Sequence, residues 1–247
     1  MSVRNIKVKI AYNGAAYHGF QRQENALSVQ NVLEDRLSRL TASDVRINGC
    51  SRTDTGVHAN EYFFSFLTEH SIPCNNIIRG MNSLLPADIA VLDCEEVSAD
   101  FHARYSCKGK EYIYKILNRS VRDPFLDNLA LHYPYELDVD KMNKAGKYIE
   151  GTHDFLCFCG ALGVKENTVR TVSLCEVKRE GDLVILTVRG DGFLYNMVRI
   201  IAGTLIYVSE GRISPEDIPK IIESRDRNLA GVTAKPWGLY LNRVFYE

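Results

Sequence analysis

The stretch TVSLCEVKREGDLVILTVRG, residues 171–190, predicts a β-hairpin. Runs rich in apolar and β-branched residues lie on both sides of Glu180-Gly181-Asp182, and a glycine-containing tripeptide between two such runs favours a tight turn. Strands joined by so short a turn run antiparallel. We therefore expect a mainly antiparallel sheet.

Similar patterns extend outward from the hairpin in both directions. Strand-like runs are expected at residues 6–10, 45–50, 61–67, 89–97, 110–117 and 238–246. Helical patterns are expected after a Ser28 cap, at 75–85 before Pro86, at 138–151 with Gly151 as the C-terminal cap, at 193–211, and from Ser214-Pro215 onward.

This order of elements predicts an α+β fold, because strands and helices mix without strict β-α alternation. We expect two similar β-α-β-β-type halves, 1–105 and 106–247, that share a mainly antiparallel sheet with helices on one face. No linker rich in Pro, Gly or Ser separates them. The crevice between such halves is the default place for a site.

The composition is that of an ordinary globular protein, with 45% apolar and 25% charged residues in 247. The start, MSVRNIKVKIAYNG, alternates like a strand and does not resemble a signal peptide, so a cytoplasmic location without a membrane span is expected. The seven scattered cysteines do not suggest disulfides. Residues 157–159 read CFC, but the paired spacings of a zinc site are missing, so no metal is expected.

The net charge of −1 does not by itself favour nucleic acid as a partner. The segment FHARYSCKGKEYIYK, residues 101–115, nevertheless carries Arg104, Lys108, Lys110 and Lys115 against one acidic residue, interleaved with tyrosines. This pattern fits an RNA-binding surface. It fits equally a strand edge that lysines protect from aggregation.

Residues 49–59, GCSRTDTGVHA, contain an Asp-Thr-Gly tripeptide. An aspartic protease needs two carboxylates that share a proton, and this chain has one such tripeptide, preceded by polar rather than apolar residues. A lone ionised Asp54 beside Arg52 suits a nucleophile or general base on a rigid loop. An ordinary hairpin turn capped by Asp54 is the alternative.

The same stretch resembles the GRTDxGVHA signature of the TruA family of tRNA pseudouridine synthases. Further blocks resemble the family in order: YNGAAYHGFQRQ, SVQNVLED, LPADIAV, FHARYS, KEYIYKI, GTHDF, MVRIIAGTL and AKPWGLYL. The chain departs from the family pattern at Leu156 and Cys157, where small residues are usual, and in its near-neutral charge.

The resemblance implies isomerisation of uridine to pseudouridine at positions 38–40 of tRNA. It implies a homodimer with a basic cleft for the anticodon arm, and neither cofactor nor metal. A paralogue that modifies ribosomal RNA, a pure RNA-binding module and, remotely, the aspartic protease remain as alternatives.

The resemblance also assigns roles to residues. Asp54 matches the catalytic aspartate, which would attack the sugar or remove a proton from it. Tyr112 would stack on the extruded base, and Arg52 would hold a phosphate or the flipped nucleotide.

Arg199 is the only charged residue in an apolar helical pattern, so it needs a partner. The resemblance makes Asp54 that partner. The alternative is that the Arg199 side chain extends to the solvent surface or donates to carbonyls at a helix end. Tyr114 shares a strand face with Tyr112, so one of the two is expected to pack only in the core.

Three further residues are assigned less specific roles. His58 is expected to be structural or to contact RNA. Gln21 and Gln23 are expected to contact RNA, and the alternative is that they simply lie in a loop at the end of a strand.

Overall fold

A computed structural model describes residues 3–161 and 167–247. The chain forms two compact units, Met1–Lys108 with Tyr240–Glu247, and Gly109–Leu239. The division into halves at 1–105 and 106–247 stays a prediction. Each unit is described by itself below.

The first unit is built on a sheet whose strands follow the order β4-β1-β3-β10, with β2 paired to β3. Its strands are β1 Arg4–Tyr12, β2 Asn48–Gly49, β3 His58–Thr68, β4 Ile89–Val97 and β10 Leu239–Phe245. The pairings of β1 with β3 and β4 and of β2 with β3 are antiparallel. The last strand, β10, runs parallel to β3 through Tyr240 opposite His58.

Where the first unit is described, its α-helices are α1 Val29–Thr41 and α2 Cys74–Leu84. Ser28 caps α1, as expected, because its side chain accepts a hydrogen bond from the Asn31 amide. Helix α2 ends before Pro86 and packs against β4 and α1.

The strand expected at 45–50 is reduced to β2, which has only two residues. Polar side chains of α1 take the amides that a strand ladder would have used. Ser38 Oγ accepts from the Val45 amide at 3.0 Å, and Glu34 Oε1 accepts from the Ile47 amide at 3.2 Å. Backbone donors satisfied by a helix have no need of a neighbouring strand.

The second unit has a sheet of order β5-β9-β8-β7, in which these neighbours run antiparallel, and the short β6 pairs parallel to β5. Its strands are β5 Gly109–Leu117, β6 Leu131–His132, β7 Gly151–Asp154, β8 Val169–Glu180 and β9 Leu183–Gly190. The predicted hairpin is β8–β9. Gly181 lies in its turn with φ +60°, a conformation that favours glycine.

The α-helices of the second unit among the described residues are α3 Val139–Ile149, α4 Met197–Ser209 and α5 Ile218–Ser224. Helix α4 begins four residues later than the expected 193, because Asn196 takes a left-handed conformation with φ 60° and ψ 5°. Such a residue interrupts a right-handed helix. Helix α4 is almost wholly buried, as its apolar sequence predicts.

The α+β class with a mainly antiparallel sheet is confirmed. Among residues 3–161 and 167–247, none of the helices has the length and apolar character needed to cross a membrane.

Candidate functional site

Asp54 lies on the loop that joins β2 to β3, and a tight turn fixes its backbone. The Val57 amide donates to the Asp54 carbonyl at 3.1 Å, and Gly56 between them has φ +77°. A β-turn with a positive φ at its third residue favours glycine there. The Asp54 side chain is half-buried, and its neighbour Thr53 is 8% exposed.

One segment from outside the loop, residues 17–20, holds it in place. The Phe20 amide donates to the Thr53 carbonyl at 3.2 Å, and the Gly56 amide donates to the Tyr17 carbonyl at 3.2 Å. Gly19 has φ +82°, and a Cβ there would lie 2.4 Å from the Thr53 carbonyl oxygen. The motif YHGF is therefore a brace for the Asp54 loop.

Buried hydroxyl groups complete this brace. The hydroxyl groups of Tyr12 and Thr53 lie 2.8 Å apart in a hydrogen bond. The Tyr62 hydroxyl donates to the Ser51 carbonyl, and its ring stacks on Phe20 with centroids 4.1 Å apart. Sequence reasoning missed Tyr12, Phe20 and Tyr62. Tyr12 and Phe20 both lie in the block YNGAAYHGFQRQ, residues 12–23, and this block was the signal that could have found them.

His58 is a structural residue in this fold. It is 1% exposed, and its Nδ1 accepts a hydrogen bond from the Gly14 amide at 3.0 Å. Its ring stacks on Tyr240 with centroids 4.5 Å apart. These contacts explain why a histidine follows the loop without placing it among the reacting groups.

Arg52, two residues before Asp54, is exposed. Within the described ranges it forms neither a hydrogen bond nor an ion pair. Gln21 and Gln23 are exposed as well, and Gln23 Nε2 donates to the His18 carbonyl at 2.8 Å. An arginine with no internal partner keeps its full charge available for a phosphate.

In the second unit, the structure distinguishes the two tyrosines of β5. Tyr114 is fully buried, and its hydroxyl donates to the Lys235 carbonyl at 2.7 Å, so it packs in the core. Burial raises the pKa of Tyr114, and the positive charge of Arg199 offsets part of this rise. Tyr112 is 7% exposed and meets Phe193 edge-to-face at 5.1 Å.

Arg199 lies in the first turn of α4 and is half-buried. Its Nε donates to the Ala234 carbonyl at 2.7 Å, and its Nη1 donates to Asn196 Oδ1 at 2.8 Å. The Ala234 amide in turn donates to the Arg199 carbonyl at 3.1 Å. The guanidinium therefore does donate to a backbone carbonyl, as one of the alternatives from the sequence had it.

The comparisons with known proteins agree with this chemistry. A family model described as tRNA pseudouridine synthase matches residues 9–106 and 145–247. The chain belongs to this family. The family predicted from the sequence blocks is thereby confirmed.

Several curated proteins resemble this synthase over its whole length. A tRNA pseudouridine synthase A from Caldicellulosiruptor saccharolyticus is 46% identical over 244 residues, covering 99% of this chain and 100% of the relative. One from Ruminiclostridium cellulolyticum is 46% identical over 245 residues, and one from Thermoanaerobacter sp. is 43% identical over 244, each with the same coverage.

The net charge of the synthase does not describe how its individual cations are paired. Most cations of the first unit pair with carboxylates, among them Arg4, Lys7 and Lys9. Within the part of the chain that the structure describes, the lysines and arginines of this unit without such a pair are Arg52, Arg79, Arg104, Lys108 and Arg243. Cations without internal partners are the ones that can replace counterions on a phosphate backbone.

The CFC segment of the synthase is a piece of core. Cys157 and Cys159 are buried, and burial raises the pKa of the Cys157 thiol to about 12. Over 3–161 and 167–247, His, Cys, Asp and Glu side chains do not gather in groups of three that could hold a metal ion.

The predicted site residues are thus found in both units of the synthase. Asp54 and Arg52 lie on one loop of the first unit. Tyr112 and Arg199 belong to the second unit. The pairing of Asp54 with Arg199 stays a prediction.

Proposed function

We propose that Asp54 is the catalytic carboxylate with which this synthase isomerises uridines of the anticodon stem-loop of tRNA. Conversion of uridine to pseudouridine in tRNA is the activity of the family to which the chain belongs. The reaction breaks the bond from ribose C1′ to uracil N1 and rejoins the base through C5, so that product and substrate have the same atoms.

The observation that carries this proposal is the construction of the Asp54 loop. Asp54 is the one carboxylate in residues 50–57, and the loop is fixed through Thr53 and Gly56 by groups of Tyr12, Tyr17 and Phe20. Preorganised placement of a reacting group lowers the entropic part of the barrier. The single Asp-Thr-Gly sequence and the family match both disfavour a protease.

Asp54 has to be ionised in either chemical role. As a nucleophile it would form a bond to C1′, and as a base it would take a proton from the sugar; it would later assist removal of the proton from C5. Arg199 is proposed as the cation that favours the ionised form of Asp54, since a neighbouring positive charge lowers the pKa of a carboxyl group.

The remaining site residues are proposed to hold the RNA. Arg52 would bind a phosphate near the extruded nucleotide, because it is exposed and without an internal partner. Tyr112 would stack on the target base. Since Tyr112 is 7% exposed, we expect tRNA binding to uncover more of its ring.

The test uses unmodified tRNA, an isolated anticodon stem-loop and ribosomal RNA, with pseudouridine mapped after incubation. We expect product in the tRNA and in the stem-loop. Product only in ribosomal RNA would overturn the substrate assignment in favour of the paralogue. Absence of product in all three RNAs would overturn the activity as well.

The role of Asp54 is tested with Asp54→Asn, which keeps the size of the side chain and removes its charge. We expect product formation to fall by more than about 10³-fold, in the range seen when a catalytic group is removed. Affinity for tRNA and the free energy of unfolding should change little. The matched control is Asp44→Asn, at an exposed aspartate of the same unit, which should keep full activity.

We also propose that the synthase acts as a cytoplasmic homodimer, as the resemblance implies. Sedimentation at micromolar concentration tests the oligomeric state, and a monomer with full activity would contradict the dimer.

A further inference from the structure

We infer that Asn196 is a positioning residue that sets the orientation of the Arg199 guanidinium for the reaction. The inference rests on the proposed role of Arg199. It starts from an unusual backbone: Asn196 has φ 60° and ψ 5°, a left-handed conformation that non-glycine residues adopt at a cost.

Asn196 occupies the N-cap position of α4 without capping the helix. Its side chain forms no hydrogen bond to the amides of the first turn, the bond for which asparagine is favoured at this position. Its backbone carbonyl does begin the helix, accepting from the Ile200 amide at 2.9 Å. The amide oxygen of its side chain accepts instead from Arg199 Nη1 at 2.8 Å.

The second acceptor of the guanidinium, the Ala234 carbonyl, belongs to a segment that packs on α4. Arg199 Nε donates to the Ala234 carbonyl, and the chain segment before Ala234 is packed closely onto α4. The Gly231 amide donates to Thr204 Oγ1 at 2.8 Å, and a Cβ on Gly203 would lie 1.9 Å from the Val232 carbonyl oxygen. Two acceptors, the Ala234 carbonyl and Asn196 Oδ1, therefore hold the Nε and Nη1 of the guanidinium.

An arginine side chain has several rotatable bonds, and ordering it costs free energy. When the acceptors are fixed in advance, this cost is met during folding and not during the reaction. Loss of the Asn196 oxygen should consequently reduce kcat much more than tRNA affinity, because the folded protein would keep the charge of Arg199 but lose its orientation.

Asn196→Gly separates this role from a structural one. Glycine adopts the left-handed conformation without cost, which offsets the lost hydrogen bond to Arg199, so the melting temperature should change little. We expect kcat for unmodified tRNA to fall at least about tenfold, with KM within about twofold. Asn196→Asp keeps an acceptor oxygen at the same place and should recover at least about threefold of the loss.

The matched control is Asn128→Gly. Asn128 is exposed, belongs to the same unit and also has a left-handed backbone, with φ 56°, but its side chain bonds to Asp127 rather than to an arginine. This variant should keep the wild-type kcat. If Asn196→Gly also keeps kcat within about twofold, or if Asn196→Asp recovers nothing, the inference is overturned.

Arg199→Lys distinguishes failure of the inference from failure of the proposed function. A wild-type protein that makes no pseudouridine refutes the proposed function. A fully active Arg199→Lys variant refutes the role of Arg199 and the inference with it. Loss of activity in Arg199→Lys together with full activity in Asn196→Gly refutes the inference alone.

Discussion

The hydroxyl groups of Tyr12 and Thr53 lie 2.8 Å apart in a buried hydrogen bond, directly beside Asp54. Tyr12 is the last residue of β1, and Thr53 precedes Asp54 on the loop after β2. The bond therefore ties the Asp54 loop to a central strand of the first sheet. It gives a direct test of how far loop rigidity matters.

Tyr12→Phe removes this bond with little change in shape. We expect the free energy of unfolding to fall by about 1–3 kcal/mol, because the buried Thr53 hydroxyl loses this partner. We also expect a lower kcat with unchanged KM, because Asp54 would be held less firmly. Urea denaturation and the rate of pseudouridine formation provide the two measurements, and an unchanged kcat would show that the other braces suffice.

Gly19→Ala tests the close approach of the brace to the loop. A left-handed alanine costs about 1–3 kcal/mol, and the added Cβ would also collide with the Thr53 carbonyl oxygen. Loss of stability and loss of activity are both expected.

Gly211→Ala is the matched control for this substitution. Gly211 has φ +74°, but a Cβ there meets open space. The two variants share the conformational cost, so the difference between their urea-unfolding free energies measures the collision. Equal values for Gly19→Ala and Gly211→Ala would contradict the tight packing of Gly19 on Thr53.

Glu34 should make stability depend on pH. Burial alone would raise the pKa of its carboxyl group, but hydrogen bonds outweigh burial and the pKa lies below its usual value. The donors are Gln30, the Ile47 amide, Arg22 and Arg46. A lowered pKa in the folded state stabilises the protein above the unfolded pKa of about 4.3, and this stabilisation is lost as the pH falls through the folded value.

Glu34→Gln should therefore be less stable than the wild type at pH 7, by about 1.5–3 kcal/mol for a hydrogen-bonded charged group. The difference should shrink as the pH falls below about 4.3. Urea unfolding at a series of pH values measures it. Asp35→Asn, at the more exposed neighbour, is the control and should follow the wild type closely; a constant difference for Glu34→Gln would refute the linkage.

The cations without carboxylate partners should determine how strongly tRNA binding depends on salt. Arg52→Ala, Arg104→Ala and Lys108→Ala should each weaken binding and lower the slope of log affinity against log salt by about 0.7–0.9, for one phosphate contact each. Arg39→Ala removes an exposed cation that is paired with Asp35 and should leave the slope unchanged. Binding titrations between about 50 and 200 mM salt test this.

The sequence identified the elements wherever a single local signal controls them. Alternating apolar residues gave β1, and Ser28 gave the start of α1. The sequence predicted too long a strand at 45–50 and too early a start for α4. The first outcome depends on Glu34 and Ser38 of α1, which accept from the amides of Ile47 and Val45. The second depends on the left-handed backbone of Asn196, which periodicity does not reveal.

For the candidate site too, some residues could be named from the sequence, whereas other distinctions needed the structure. Asp54, Arg52, Tyr112 and Arg199 could be named from motifs, because chemistry requires particular residue types in a particular order. Periodicity alone could not choose between Tyr112 and Tyr114, since both lie on one face of β5. The Lys235 carbonyl that accepts from the Tyr114 hydroxyl comes from a segment 121 residues away, and it made Tyr114 a core residue.

The amino-acid order alone thus determined the α+β class and the family, and it named Asp54 as the candidate carboxylate, because periodicity and motif chemistry depend on a few neighbouring residues. Only the tertiary structure decided which groups hold that chemistry in place: Tyr12 and Phe20 on the Asp54 loop, and Asn196 on Arg199. The physical reason is that a hydrogen bond depends on distance and direction in space. Separation along the chain says little about either.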